Sequence, residues 1–269
     1  MDKNQLIDRF ASNSEQRILL SHIYDLALRR NDRNILTVSN FMSEVDCVLT
    51  DNFLRSASTQ NYLIFGGYNE SVRKVAVFLP DYYAEEDVIT TPSLAEISFI
   101  TATVNKFQAQ SADISHRDVL GSLMGLGIER DFIGDIVAEG SFAVFIVKSR
   151  LAEFIKENLV KIGRYQVELC VYDRYNVVPS QDYETGFDTV ASMRLDAVVS
   201  AIFKLSRTSA SEAISGGIVS INGTVITKQD AIVKEGDKIT LRRKGKAKIE
   251  RLDGVSKKGR IRFVFNLYK

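Results

Sequence analysis

The sequence predicts an α+β protein built in succession from an N-terminal α/β region (residues 1–90), a ferredoxin-like βαββαβ domain (91–178), a linker (179–189) and a basic two-helix-and-hairpin module (190–269). Three observations predict it. The apolar period changes from helical to strand-like near Tyr62, the middle third alternates strands and helices in the order βαββαβ, and charge is polarised along the chain. From Gln181 onward 17 Lys and Arg face 10 Asp and Glu, a net of +7; of the totals of 35 and 34 this leaves 18 against 24, a net of −6, before it. The formal charge of +1 therefore hides an acidic front and a basic back, and the back suits a polyanionic partner. With 269 residues and 45% hydrophobic content, the chain is long enough for two or three packed domains.

Residues 3–30 are helical in pattern, with Ile18, Leu19, His22, Ile23, Leu26 and Ala27 expected to form one inward stripe. On that stripe His22 reads as a partly buried packing residue rather than a ligand. Ser39 precedes a second helical segment, 40–55, whose Phe41, Val45, Val48 and Leu49 are expected to face a core. Residues 62–65 and 75–79 read as strands around a glycine turn, closed by Pro80. Gly66-Gly67 is a tight turn rather than a phosphate loop, because no Lys-Ser/Thr or further glycine follows at the required spacing.

In the middle domain 96–104, 133–138, 142–147 and 166–172 read as strands, and 117–126 and 151–162 as helices, the second with Phe154, Ile155 and Leu159 inward. This is the arrangement of RNA-recognition-motif domains, although the topology serves many functions. The third strand carries Phe142 and Phe145 but lacks the basic residue and alternating aromatics of an RNA-stacking motif, so core packing is the expected role of both rings. Ser115 is placed to cap the following helix, with Asp118 in its first turn. His116 and Arg117 at that helix start are candidates for docking on phosphate or a partner surface, against the alternative of a local hydrogen-bonded corner. Residues 175–189, with Pro179, Ser180 and Gly186, read as the linker.

The basic module begins with a helix whose Leu195, Val198, Val199 and Ile202 form an apolar stripe, leaving Arg194 and Lys204 outward. Ser206-Arg207-Thr208 breaks it, and Ser209 with Glu212 offers a capping box for a second helix that ends at Gly216-Gly217. Asn222-Gly223 marks a hairpin, Glu235-Gly236-Asp237 a second turn, and 238–241 a strand. Arg242, Arg243, Lys244 and Lys246 follow as a cationic run. Residues 244–262 read as a basic, glycine-spotted loop suited to phosphate contact, and 260–265 as a last strand pairing back on the module. Arg194, Lys204, Arg207 and the 242–246 cluster are expected on one surface. With Ser206, Thr208, Ser209 and Lys228 they form the candidate RNA-binding set.

Several chemistries are excluded or disfavoured. Cys47 and Cys170 stand far apart and read as two ordinary buried thiols in a reducing compartment; with only His22 and His116 to join them no metal site is expected. No apolar run approaches a membrane span, so a cytoplasmic protein with no membrane partner is expected. His116-Arg117-Asp118 lacks the asparagine, Asp-Phe-Gly and glycine-rich loop of a kinase. No cofactor loop or paired acid/base constellation is found, so no cofactor is expected.

The stretch RLDAVVSAIFKLSRTSASEAISGGIVSINGTVITKQDAIVKEGDKITLR resembles the ribosomal S4-type RNA-binding domain, in which a helix pair docks on structured RNA and basic residues meet phosphates. With FGGYNESVRKVAVF and HRDVLGSLMGLGIERDFIGDI before it, most of the chain resembles the YlmH family of bacterial cytoplasmic proteins. The resemblance implies binding to ribosomal RNA on the large ribosomal subunit carrying a peptidyl-tRNA, a role in ribosome-associated quality control of stalled chains, and a cell-division label. A monomeric RNA-binding protein without enzymatic activity is the expectation. The alternative is an RNA-modifying enzyme of the pseudouridine synthase type, since Arg194-Leu195-Asp196 superficially fits a synthase motif; inside this module, however, Asp196 is better placed to fix Arg194 or cap the helix.

Overall fold

The computed structural model describes residues 2–173, 183–256 and 258–268, and the chain divides into two compact units, Met1–Pro179 and Ser180–Lys269. In the first unit, helices α1 (Lys3–Phe10), α2 (Ser14–Arg33) and α3 (Glu44–Ser56) pack beside a small sheet of β1 (Thr37–Val38), β2 (Tyr62–Phe65) and β3 (Val75–Phe78), in the order β1-β3-β2. Asn13 starts α2 by accepting from the Gln16 N–H at 2.9 Å, and Asn34 ends it in the left-handed region.

The buried face of α2 is Leu20, Ile23, Leu26 and Ala27. Ile18, 71% exposed, and His22, also exposed, do not belong to it as expected. At roughly 100° per residue they lie on the far side of the helix from Leu20. In α3 the buried residues are Cys47, Thr50, Phe53 and Leu54, whereas Val45 is exposed and Val48 and Leu49 are half-buried. The expected stripe was displaced because the helix begins at Ser43, which accepts from the Asp46 N–H, and not after Ser39. Ser39 is instead buried and accepts from the Ala76 N–H at 2.8 Å.

After a short helix α4 (Glu85–Thr90), the unit continues as β4 (Ile97–Val104), α5 (His116–Gly125), β5 (Ile133–Glu139), β6 (Phe142–Lys148), α6 (Ala152–Asn158), a two-residue β7 (Lys161–Ile162) and β8 (Tyr165–Tyr172). The sheet is antiparallel in the order β5-β6-β4-β8-β7, so the four long strands follow the ferredoxin-like order the sequence predicts. Val119, Leu123, Ile155 and Leu159 cover one face together with Phe145, which is fully buried; Phe142 is half-buried. Phe154 is exposed rather than inward, since Ala152 and Ile155 take the buried side of the shorter α6.

Part of the opposite face is also covered. Ile97, Phe99 and Ile146 share a core with Phe41, Phe65, Val75 and Val77. Gly134 admits the Phe41 ring: a Cβ there would lie 2.8 Å from it. The Asp135 carboxylate accepts from the Val72 N–H at 2.7 Å, the Arg73 N–H at 2.9 Å and the Tyr68 hydroxyl at 2.8 Å. Arg73 donates to the carbonyls of Ile133, Phe41 and Arg130. Burial, and then the Arg73 charge, push the Arg130 guanidinium down to about 10. Lys148 is buried and donates to the Ser39 carbonyl at 2.9 Å while pairing with Glu96 at 2.8 Å.

Cys47 is buried, and burial pushes its thiol up to about 11; Cys170, expected buried, is exposed, because it lies on the strand β8 at a position facing away from the helices. Among the described residues no group of three or more His, Cys, Asp or Glu is placed to hold a metal, and no helix is long and apolar enough to cross a membrane.

The second unit is a six-stranded antiparallel sheet with α7 (Leu195–Ile202) and α8 (Arg207–Ser215) on one face. Its strands are β9 (Tyr183–Val190), β10 (Val219–Ile221), β11 (Thr224–Val225), β12 (Lys238–Leu241), β13 (Gly245–Val255) and β14 (Ile261–Tyr268), in the order β11-β10-β12-β13-β14-β9. Asn222 and Gly223 both have positive φ, as the tight hairpin requires. The Asn222 side chain also donates to Asp237 and accepts from the Lys238 N–H, both at 2.8 Å, which locks two turns together.

Two expectations change here. Residues 183–189, read as linker, belong to strand β9, paired along its length with β14; residues 175–182 of that segment lie outside the described ones. Most of the 244–262 stretch, read as a loop, is strand β13, whose Ala247 and Ile249 point into the core between charged neighbours.

Candidate nucleic-acid interface

Two cations of the second unit, Arg194 and Arg207, meet at Asp196. This carboxylate sits in the first turn of α7, with its side chain 12% exposed, and accepts from the Ala197 N–H at 2.8 Å. Arg194 donates to it twice, from Nε to Oδ1 at 3.2 Å and from Nη2 to Oδ2 at 3.1 Å. Arg207, at the start of α8, pairs with Oδ1 at 3.1 Å. Burial pushes the Asp196 carboxyl up, but hydrogen bonds from Arg194 and the Ala197 N–H, with the Arg207 charge, outweigh it and hold the group below its ordinary range. The arrangement keeps two guanidinium groups side by side at the surface, each with donors left for another anion.

Ser206, and not Ser209, caps α8: its Oγ accepts from the Ser209 N–H at 3.0 Å and lies 2.8 Å from the Ser209 hydroxyl. The cap lies three residues earlier than the sequence suggests because Arg207 and Thr208 already belong to the helix. Ser206, Arg207, Thr208 and Ser209 are all exposed at this helix start, where N–H groups favour an anion.

Lys228 is exposed and lies 3.8 Å from Asp230. Its segment is held against α7, for the Leu195 N–H donates to the Ala231 carbonyl and the Asp196 N–H to that of Gln229. Gln229, which no sequence signal singles out, donates to Ser215 Oγ at 2.9 Å and so braces this segment against α8. Arg194, Arg207 and Lys228 are thus brought to one end of α7.

Lys204 stands past the other end. Its φ is +51°, and the Leu205 N–H donates back to the Ser200 carbonyl, the closure that usually employs glycine. Arg242, Arg243 and Lys244 are exposed at the β12–β13 turn, where Arg243 also has a positive φ of 69°. This turn lies beside Phe203, since a Cβ on Gly245 would be 3.9 Å from that ring. Lys246 does not join them. It pairs in register with Thr240 and Tyr268 on the sheet face away from the helices, so the expected single surface is divided.

A left-handed lysine at a glycine position yields a prediction. Lys204→Gly should raise stability by about 0.5 kcal/mol, through relief of the left-handed strain less the cost of a freer unfolded chain, while weakening RNA binding. Urea unfolding and an RNA titration on the same variant check it; a lowered midpoint would remove strain from the explanation.

In the first unit, His116 and Arg117 are exposed at the start of α5. Ser115 and Asp118 form the capping box, with Asp118 Oδ2 accepting from the Ser115 N–H at 3.0 Å and its hydroxyl at 2.6 Å. Partial burial first, and the nearby Arg130 charge second, hold the His116 imidazole below its ordinary range. The hydrogen-bonded corner therefore forms through Ser115 and Asp118, leaving Arg117 at the surface beside it.

Comparisons with known proteins follow the same division. Residues 95–175 match the model described as "Putative RNA-binding domain in YlmH", and 193–239 match the S4 domain. The "Ribosome-associated protein quality control protein P2" of Bacillus subtilis (strain 168) is 31% identical over 205 residues, covering 76% of this chain and 77% of the relative. The solved structure of "Cell division protein ylmH from Streptococcus pneumoniae" has 22% identity and a TM-score of 0.46 over 60% of this chain and 93% of its own. On the strength of the 31% identity across three quarters of both sequences, the chain belongs to the YlmH family and carries an S4 domain toward its C-terminal end.

Proposed function

We propose that the protein binds ribosomal RNA on the large ribosomal subunit, in reach of the peptidyl-tRNA, and acts there in quality control of stalled nascent chains in the cytoplasm. The observation that carries the reading is the Asp196 clamp, which orients Arg194 and Arg207 toward solvent without neutralising all their donors. Cations held at fixed spacing around two helix ends suit phosphates of folded RNA, which is recognised by contour more than by base sequence. The name of the Bacillus subtilis relative supplies the biological setting.

Binding, rather than catalysis, is the activity proposed. Against a pseudouridine synthase stands the use of both Asp196 oxygens by arginines and a backbone N–H, which suits an anchor better than a nucleophile. His116 and Arg117 are proposed as a second docking point, and a single copy of the chain as the binding form.

Co-sedimentation of the full chain with purified large subunits over a salt series, followed by mapping of RNA crosslinks, tests this reading. Retention at low salt, steep loss as salt rises, and crosslinks at 194–209, 228 and 242–244 are expected. Absence of retention even in dilute buffer would overturn it, and crosslinks that spare 116–117 would return those two residues to a local structural role.

A further inference from the structure

The face of the six-stranded sheet turned away from α7 and α8 is not used by the reading above. Register places Tyr183, Thr185 and Phe187 of β9 beside Tyr268, Asn266 and Val264 of β14. Residues of the opposite parity, including Val190, Phe263 and Phe265, lie in the core, so these six belong to the outer face. Phe187 is 87% exposed and Tyr183 is 52% exposed. Tyr183 and Tyr268 meet edge to face at 5.9 Å. Val264, directly across from Phe187, is buried.

Across the next strands the same face turns cationic. Lys246 is in register with Tyr268, Lys248 with Asn266 and Arg251 with Val264, and Lys238 extends the row from β12. Glu250 pairs with Lys248 at 3.3 Å and accepts from the Asn266 amide at 3.0 Å, which fixes both. Exposed aromatic rings on an edge strand are an aggregation hazard unless they serve a contact. A row of rings flanked by a row of cations matches one ligand well: bases offer π faces of any sequence, and the phosphates beside them are drawn to lysine and arginine. A strand of another protein would find the apolar ring but not a use for the cationic row.

We propose that this outer face binds a single-stranded RNA segment, with bases stacked on Phe187 and on the Tyr183–Tyr268 pair and the backbone tracking Lys246, Lys248 and Arg251. Tyr183 and Phe187 are separated by about 13 Å along the strand, room for two bases that are not neighbours on the RNA. The contrast with the first unit is physical. There the corresponding sheet buries Phe99 and Ile146 beneath the N-terminal strands, whereas here Tyr183 and Phe187 are exposed. The inference shares with the proposed function only that the partner is RNA, because it uses the opposite side of the module.

The test uses the full chain with a labelled oligouridine of about twelve nucleotides, alongside large-subunit co-sedimentation. Wild type should bind the oligonucleotide. Tyr183→Ala with Phe187→Ala should lose about tenfold for each ring, while retaining the large subunit; Phe187→Trp should keep oligonucleotide binding. Arg194→Ala with Arg207→Ala should do the converse. Oligonucleotide binding that is absent in wild type, or unchanged in the ring variant, overturns the proposal whatever the large subunit does. A ring variant that instead abolishes self-association of the wild-type chain in sedimentation also overturns it, and assigns the face to a second copy.

Discussion

Replacing Arg194 and Arg207 together with alanine should lower the affinity for RNA by roughly 10- to 100-fold near physiological salt and reduce the log–log salt slope by about two. Each guanidinium is fixed by Asp196 yet keeps donors outward, so on the proposed reading its loss would remove one phosphate contact and one released counterion. Some stability should also be lost, because Asp196 keeps only the Ala197 N–H as a partner, but the fold should survive. Beneath the pair, Leu195, Val198 and Val199 remain packed against the sheet, and a cooperative unfolding transition is expected to persist. Filter binding or co-sedimentation at several salt concentrations reads the slope directly. A variant with wild-type slope would mean that these arginines face something other than RNA phosphate.

The largest loss of stability should come from Asp135→Ala. This carboxylate takes two backbone N–H groups and the Tyr68 hydroxyl from the hairpin side, joining β5 to the loop that precedes β3. Removing it leaves those donors in a partly buried place next to Arg73 and Arg130, at a cost of about 2–4 kcal/mol. Asp135→Asn, which keeps one acceptor oxygen, should lose about half as much. Urea denaturation of both variants gives the comparison. Equal midpoints for Asp135→Ala and wild type would show that water replaces the carboxylate without penalty.

The elements most legible in the sequence were those whose pattern and pairing are local. The βαββαβ order, the Asn222-Gly223 hairpin and the first helix of the basic module followed from periodicity and turn chemistry, although the helix read over 151–162 ends at Asn158 and residues 161–162 form a short strand instead. The legible part of the site was likewise local: Asp196 and Arg194 are two positions apart, and their contact could be foreseen.

What the sequence concealed depends on distant partners. Strand β9, sequence YETGFDTV, turns its aromatic residues outward and Glu184, Gly186 and Asp188 toward the core side, and becomes a strand because β14 pairs with it and Gly186 leaves room for the Phe265 ring, which a Cβ would meet at 2.5 Å. Gln229 gave no signal because its role is to brace a loop between two helices. The division of Lys246 from Arg242, Arg243 and Lys244 arises from strand parity, which a basic run read as a loop does not possess.

The pairing of the first strand of the second unit with its last has a consequence for synthesis. While a ribosome elongates the chain, Tyr183 to Val190 has no complementary edge until Ile261 to Tyr268 has been polymerised. Closure of this module is therefore high in contact order and comparatively slow, and the helix pair can collapse onto an incomplete sheet before the edge is zipped. An RNA-facing surface and a finished hydrophobic enclosure thus mature at different moments in the life of the nascent polypeptide.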